Sequence, residues 1–361
     1  MPLHLNNNFC DWAVVAHNDD TGFGRQANDL KTTLGIKRHL VIPSERLFDK
    51  PLQNEYEAFL TPDTSDDDLR GILKDVRGVI FFERPGWHRS LLPICRELGV
   101  KSICCPNWEW FNGNDPLWKL CDLFVCTSRF TSRIVSRYGF SNIFPIGPWP
   151  LDVSTFPTRQ IVGPARHFIH NAGIVDPQDR KGTKETILAF HRVKRDDIRL
   201  TVRIQKTAAL PRIHDSRIEI MIANLENPAD LYREGDVAIQ PSKMEGNGFM
   251  VLEPLLCGVP VITLDYPPMN EYITDPKMLV KKLPFKRRAF PTTWVKHAHL
   301  RIPSIRDLAS KIKWCAENDM SALSTANRNY SAAHQDPQRQ HLLWSKIIAK
   351  AADSSSGNFF A

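Results

Sequence analysis

Two series of short apolar runs, separated by stretches with helical spacing, limit what this chain can fold into more than any other feature. WAVVAH (12–17), HLVIP (39–43), GVIFF (78–82), KSICC (101–105), LFVCT (123–127) and NIFPI (142–146) read as strands. GRQANDLKTTL (24–34) and HRSLLPICREL (88–98) read as helices between them. Apolar strands alternating with helices form a parallel sheet covered on both faces. A Pro-rich passage, 145–164, then breaks the periodicity. A second series follows: HFIHNAG (167–173), RLTVRIQ (199–205), RIEIMIA (217–223), DVAIQ (236–240) and PVITL (260–264). The expected architecture is α/β, with two doubly wound domains facing each other across a cleft. Ligands of such sheets bind beyond the carboxyl ends of the strands.

Length and composition agree. At 361 residues the chain exceeds one ordinary domain, and 42% hydrophobic residues can fill two cores. No apolar run approaches the roughly 20 residues that span a bilayer. The opening MPLHLNNNFCDW has neither the basic start nor the apolar stretch of a secretory signal. The eight cysteines show no CxxC spacing, and adjacent Cys104 and Cys105 fall in an apparent strand as buried thiols. A reducing cytoplasm is the expected location.

The richest chemistry lies in DVAIQPSKMEGNGFMVLEPLLCGVPVIT (236–263), a strand, a Gly-rich loop, a short helix and a second strand. Glu245 stands in the loop and Glu253 on the helix, eight positions apart. Gly246 and Gly248 allow backbone conformations and close ligand approach that a side chain blocks. A helix starting near Gly248 aims free N–H groups and its positive end at the loop, a setting for an anion. Glu253 can accept hydrogen bonds from a hydroxylated partner such as ribose, and phosphate beside ribose suggests a nucleotide. Pro254 inside the helix removes a donor and should leave it short or bent.

This segment resembles the E-x7-E signature of the retaining family-4 glycosyltransferases, which have the GT-B fold of two Rossmann-like domains. Gln240-Pro241-Ser242 stands where that family has a Pro-Ser pair, and Cys257-Gly258-Val259-Pro260-Val261 is similar to its Gly-Val-Pro-Val run. DLFVCTSRFTSRIVSRYGFSNIFPIGPWPLDVSTFP (122–157) looks like the family's end of the first domain, and NAGIVDPQDRKGTKETILAFHRV (171–193) like the opening of its donor domain. The resemblance implies an acceptor-side domain over 1–153, a nucleotide-sugar domain over 154–335, and a C-terminal piece over 336–361. Its helix HLLWSKIIAKAA (341–352) carries Leu342, Leu343, Trp344, Ile347 and Ile348 at helical spacing. In that fold the last helix commonly returns to the first domain, although the apolar face suits packing on its own domain equally.

The resemblance also implies roles. An Arg and a Lys before the first donor-domain helix grip the donor diphosphate and neutralise charge on the leaving group. Lys181, next to Gly182, matches the lysine. Ile174 occupies the usual place of the arginine, and Arg180 can supply its charge from nearby. Gly246, Asn247, Gly248 and Phe249 would hold the donor, with Glu245 on the sugar hydroxyls and Glu253 on the ribose. Gly22 and Gly24, between the first strand and helix, match the family's Gly-rich turn, which lets backbone approach the donor; a plain strand-to-helix turn explains them as well. Two further loops, Glu83–His88 and Pro106–Phe111, end near the expected cleft. The second has Asn107, Trp108 and Glu109 where many members have a histidine, so no catalytic histidine carries over. Trp108 and its neighbours suit either sugar contacts or packing over the sheet.

No cofactor is expected beyond the nucleotide diphosphate sugar, which is the donor substrate. No metal site is expected either, because Asp66-Asp67-Asp68 reads as the charged start of a helix. The net charge of +7 is concentrated: from Lys277 to Arg301 there are eight Lys or Arg and no acid, with Phe285, Phe290 and Trp294 among them. That mixture suits an anionic surface, nucleic acid or acidic membrane, or a solvated loop. The expected activity is sugar transfer to a hydroxyl of a glycan, lipid-linked or polysaccharide precursor. Two alternatives stay open: an enzyme that glycosylates hydroxymethylated DNA bases, and a non-catalytic carbohydrate- or nucleotide-binding relative.

Overall fold

The computed structural model describes residues 9–353, apart from 20–21, 44–54, 84–86, 208–209, 224, 226–227, 290–294 and 296–297. Thr21, Arg84, Pro85, Gly86, Phe290, Trp294 and the polar tail SSSGN thus lie outside the described residues. The chain divides into two compact units, 1–152 with 335–361, and 153–334.

The first unit is built on seven strands: β1 (Trp12–Ala16), β2 (Arg38–Val41), β3 (Glu57–Phe59), β4 (Gly78–Phe82), β5 (Lys101–Cys105), β6 (Leu123–Cys126) and β7 (Ile143–Pro145). Their order is β3-β2-β1-β4-β5-β6-β7, all parallel. The central strands β1 and β4 are wholly buried, as continuous apolar runs require. Helices α1 (Gly22–Leu34), α2 (Asp66–Leu73), α3 (Leu91–Leu98) and α4 (Arg129–Arg137) cross between strands. Ser65 caps α2 by accepting from the Asp68 N–H, so the three aspartates form its first turn and meet its positive end. Gly99 closes α3 in left-handed backbone at φ 71°. The strand β3 and its short apolar content were not foreseen, because EAF is too brief for a period to show.

The second unit contains β8 (His167–Val175), β9 (Arg199–Thr207), β10 (Ile218–Ile222), β11 (Val237–Gln240), β12 (Val261–Leu264) and β13 (Leu279–Val280). They form a parallel sheet ordered β10-β9-β8-β11-β12-β13. The order reverses between β8 and β11, so the switch point of this sheet lies where those two strands end. Helices α5 (Thr183–Arg192) and α6 (Phe249–Leu256) leave those ends. Part of the basic segment forms an antiparallel pair, β14 (Lys282–Ala289) and β15 (His299–Pro303), where the sequence suggested a loop. Helices α7 (Ile305–Glu317) and α8 (Ser321–Gln335) follow.

The last helix, α9 (Pro337–Asp353), belongs to the first unit. Trp344, Ile347, Ile348 and Ala351 form its buried face, and the Trp344 ring meets Trp149 edge-on at 5.7 Å. Leu342, which the helical spacing assigns to that face, is instead 62% exposed. All eight cysteines are free thiols, seven of them buried, and burial raises the pKa of Cys104 and Cys105. Among the described residues no helix is long and apolar enough to cross a membrane.

Candidate functional site

The loop after β8 and the loop after β11 meet at the switch point of the second sheet. Gly182 makes this approach possible: its φ is 74°, and a Cβ there would sit 2.7 Å from the Pro241 carbonyl oxygen. Asp179, itself at φ 48°, accepts from the Thr183 and Lys184 N–H groups and so caps α5. His170 ties the strands to this helix. Burial keeps its ring neutral, so Nδ1–H donates to Ile239 O at 2.6 Å and Nε2 accepts from the Thr183 hydroxyl at 3.0 Å.

On this frame Lys181 Nζ donates to Glu245 Oε1 at 2.7 Å, and Arg180 Nη1 donates to Oε2 at 3.2 Å. Two loops that are 64 residues apart in sequence thus bring their charges into one cluster. Burial pushes the Glu245 carboxyl up, but the Lys181 and Arg180 charges outweigh it and hold the pKa at about 2. Burial lowers the Lys181 ammonium while Glu245 opposes the shift. The short contact to a carboxylate already shared with Arg180 supports the ion pair rather than a neutral pair.

A third cation, Lys243, which the sequence did not single out, lies beneath. Lys243 is 3% exposed and reaches Glu185 at 3.0 Å and Asp179 at 3.6 Å. Its N–H donates to Arg180 O at 2.7 Å. Burial raises the Glu185 carboxyl, and the Lys243 charge works against it. Lys243 therefore fixes the loop that carries Arg180 and Lys181. Gln240, the last residue of β11, is fully buried, and neither its Oε1 nor its Nε2 has a hydrogen-bond partner among the described residues. The surface-loop look of PSKMEG hid Lys243, whereas Gln240 ends the strand read over 236–240.

Gly246, Asn247 and Gly248 are buried and Phe249 is half-buried at the start of α6. Gly248 caps that helix in left-handed backbone at φ 70°, with no side-chain cap, so the first N–H groups face the loop. The helix has eight residues with Pro254 inside it, short as expected. Glu253 is 1% exposed and accepts the Tyr232 hydroxyl at 2.7 Å. Tyr232 is a further partner that the sequence did not indicate, since it lies in a short 3-10 turn, Pro228–Tyr232.

In the first unit, α1 begins at Gly22, so Gly22 and Gly24 lie in its first turn rather than before it. Gly24 is buried, and a Cβ there would collide with the Asp19 backbone. Its missing side chain accommodates the chain's own turn, a structural reason separate from ligand approach. Trp108 is fully buried against Phe130, which decides for packing over sugar contact. Asn107 donates to Glu83 at 3.1 Å, and Glu83 adopts φ 65° at the end of β4. His17, Phe23 and Trp87 cluster at the β1 and β4 ends, with Phe23 and Trp87 stacked at 5.3 Å.

Residues 218–286 match the family model described as glycosyl transferases group 1. That span runs from β10 into β14 and includes Glu245 and Glu253. Comparison with the curated proteins finds no match. Among solved structures, the chain is similar to Alr3699/HepE from Anabaena in complex with UDP and glucose, at 10% identity over 94% of this chain and 99% of that one, with a TM-score of 0.67. A glycosyltransferase from Rickettsia africae ESF-5 aligns at 14% identity over 95% and 99%, with a TM-score of 0.62. Sucrose-phosphate synthase from Thermosynechococcus elongatus aligns at 11% identity over 94% and 99%, with a TM-score of 0.60. At these identities the likeness shows the fold: two Rossmann-like parallel-sheet units of the GT-B kind.

Proposed function

We propose that the chain is a glycosyltransferase that takes a nucleotide diphosphate sugar as donor and moves the sugar, with retention of configuration, to a hydroxyl acceptor. One observation carries this reading: Lys181, Arg180 and Glu245 converge where β8 and β11 end. In open α/β sheets that position binds ligands. The family match over 218–286 and the GT-B fold support the same class.

The cluster suggests a sequence of events. Glu245 holds the two cations until a diphosphate competes for their N–H donors. The released carboxylate then accepts hydrogen bonds from the sugar hydroxyls. The N–H groups at the start of α6 add partial positive charge to the same anion. Glu253 takes the ribose hydroxyls in place of, or beside, the Tyr232 hydroxyl. The acceptor oxygen bonds to the anomeric carbon as the bond to the diphosphate oxygen breaks, and its proton passes to that departing oxygen. Lys181 and Arg180 neutralise the negative charge gathering there, which is the step a preorganised cation accelerates most. An Asp/Glu nucleophile pair has no part in this scheme, and the neutralising charge comes from the chain itself.

Nucleotide sugars should be tested as donors, UDP-sugars first because Anabaena HepE was solved with UDP-glucose. The expected results are a raised melting temperature with the right donor, slow release of nucleoside diphosphate, a product of unchanged anomeric configuration by NMR, and turnover that persists in excess chelator. Stabilisation without any release would favour the non-catalytic alternative. No response to any nucleotide sugar would remove the proposal.

A further inference from the structure

The part of the basic segment that forms β14 is the most exposed strand among the described residues. Lys281, Lys282, Lys286, Arg287 and Arg288 are all exposed, and Phe285 among them is 99% exposed. The pairing with β15 is regular at Arg287, Arg288 and Ala289 but shifts register between Lys282 and Arg287. Such a bulge swings its residues out of the ladder and re-aims side chains. Phe285, inside it, has φ 58°, a conformation that bulky residues rarely adopt. The backbone thus carries local strain while the ring remains in water. The result is an apolar tip, Leu283-Pro284-Phe285, bracketed by two cations before and three after.

The other strand fixes this tip in place. Leu300 on β15 is fully buried, the Arg301 guanidinium lies 5.6 Å over the Tyr266 ring, and the Arg301 N–H donates to Lys243 O at 2.9 Å. Lys282 Nζ donates to Asp265 O at 3.0 Å, and the Ser304 N–H donates to Lys281 O at 2.9 Å. The tip is presented on a framework bonded to the body of the second unit.

We propose that β14 is a docking face for an anionic phospholipid surface, with Phe285 entering the boundary between headgroups and acyl chains. Charge complementarity is one argument: no acid occurs from Lys277 to Arg301, and each cation near an anionic leaflet strengthens binding roughly fivefold. The arrangement is the other. A lipid surface places anions directly above hydrocarbon, matching cations that flank an apolar tip. A duplex offers charge without apolar depth. Single strands bind along a positively charged groove with aromatic rings for their bases to stack on, whereas the Phe285 ring stands alone, 99% exposed at a strand tip. This docking face is independent of the donor-site reading.

The test is co-sedimentation of the full chain with vesicles of phosphatidylcholine alone and of phosphatidylcholine mixed with phosphatidylglycerol. Binding is expected only to the mixed vesicles and should weaken as salt rises. Phe285→Asn, a residue that tolerates this backbone, should lower the affinity roughly tenfold or more. The pair Lys286→Glu and Arg287→Glu should abolish binding. Neither variant should melt below the wild type, and Phe285→Asn, which relieves the strained backbone, should melt slightly higher, so that lost docking is separated from lost folding. Equal binding to uncharged vesicles, no binding to either, indifference to both variants, or displacement of the protein from vesicles by DNA at lower phosphate concentration would each overturn the proposal.

Discussion

The Glu245 ion pair makes the stability of the second unit depend on pH. Its folded pKa of about 2 lies below the ordinary 4.5. A depressed carboxylate contributes stability that is present above the ordinary value and lost as pH falls through the folded one. The shift corresponds to roughly 3 kcal/mol, less what burying Lys181 costs in the opposite direction. Urea unfolding between pH 6 and 2 should therefore show the second unit weakening below about pH 4.5, and Glu245→Gln should flatten that dependence. Unchanged pH dependence would mean that the ion pair is not formed in solution. For chemistry, Lys181→Ala should lower kcat by roughly 10²–10³, the size of one lost transition-state donor, measured with the donor found to bind. Glu245 was singled out by its Gly-rich loop and Lys181 by the family resemblance, and the structure brings the two together. Lys243 and Tyr232 were not singled out, because a buried lysine and a tyrosine in a short turn look like surface residues until the fold encloses them.

At the scale of elements, short glycine-capped helices position the site. Gly182 and Gly248 both adopt left-handed backbone, but their surroundings differ. A Cβ on Gly248 meets Met269 and Tyr272 at 3.5 Å, ordinary contact, while one on Gly182 meets the Pro241 carbonyl at 2.7 Å. Gly248→Ala should cost about 1–2 kcal/mol from backbone strain alone. Gly182→Ala should cost more and also part the β8 and β11 loops, which urea unfolding and donor affinity together would reveal. Equal costs would contradict the packing described for Gly182. The exposed edge strand β10 belongs to the same scale, with Ile220, Met221 and Ile222 at 42, 37 and 60% exposure. An open apolar edge promotes association, so Ile222→Lys should reduce aggregation with little change in stability, read by light scattering. The apolar run made β10 legible as a strand, whereas its place at the edge follows from strand order alone. β14 was hidden differently, since a strand with nearly every side chain in water has no alternation of burial to betray it.

For the whole molecule, the chain leaves the first unit after residue 152 and returns at 335. The first unit therefore depends on residues that follow the second in the chain. Gln335 donates to Trp149 O at 2.9 Å and accepts from the Leu151 N–H at 2.9 Å, and Trp344 packs on Trp149. Trp344→Ala should destabilise the first unit by about 3–5 kcal/mol, seen as an earlier urea transition with the second unit's transition unmoved. A single shared shift would mean that the two units unfold as one. The sequence by itself determined the class of both sheets, because runs apolar throughout are stable only as strands buried on both faces. It also determined the glycine- and acid-rich loop after β11, since charge, glycine and helix start lie within one short segment. Only the tertiary structure decided which strands stand at the centre, which tryptophans are sealed in the core, and that Lys181 and Arg180 close on Glu245. Those outcomes depend on strand order and on contacts between distant segments, which no local period encodes.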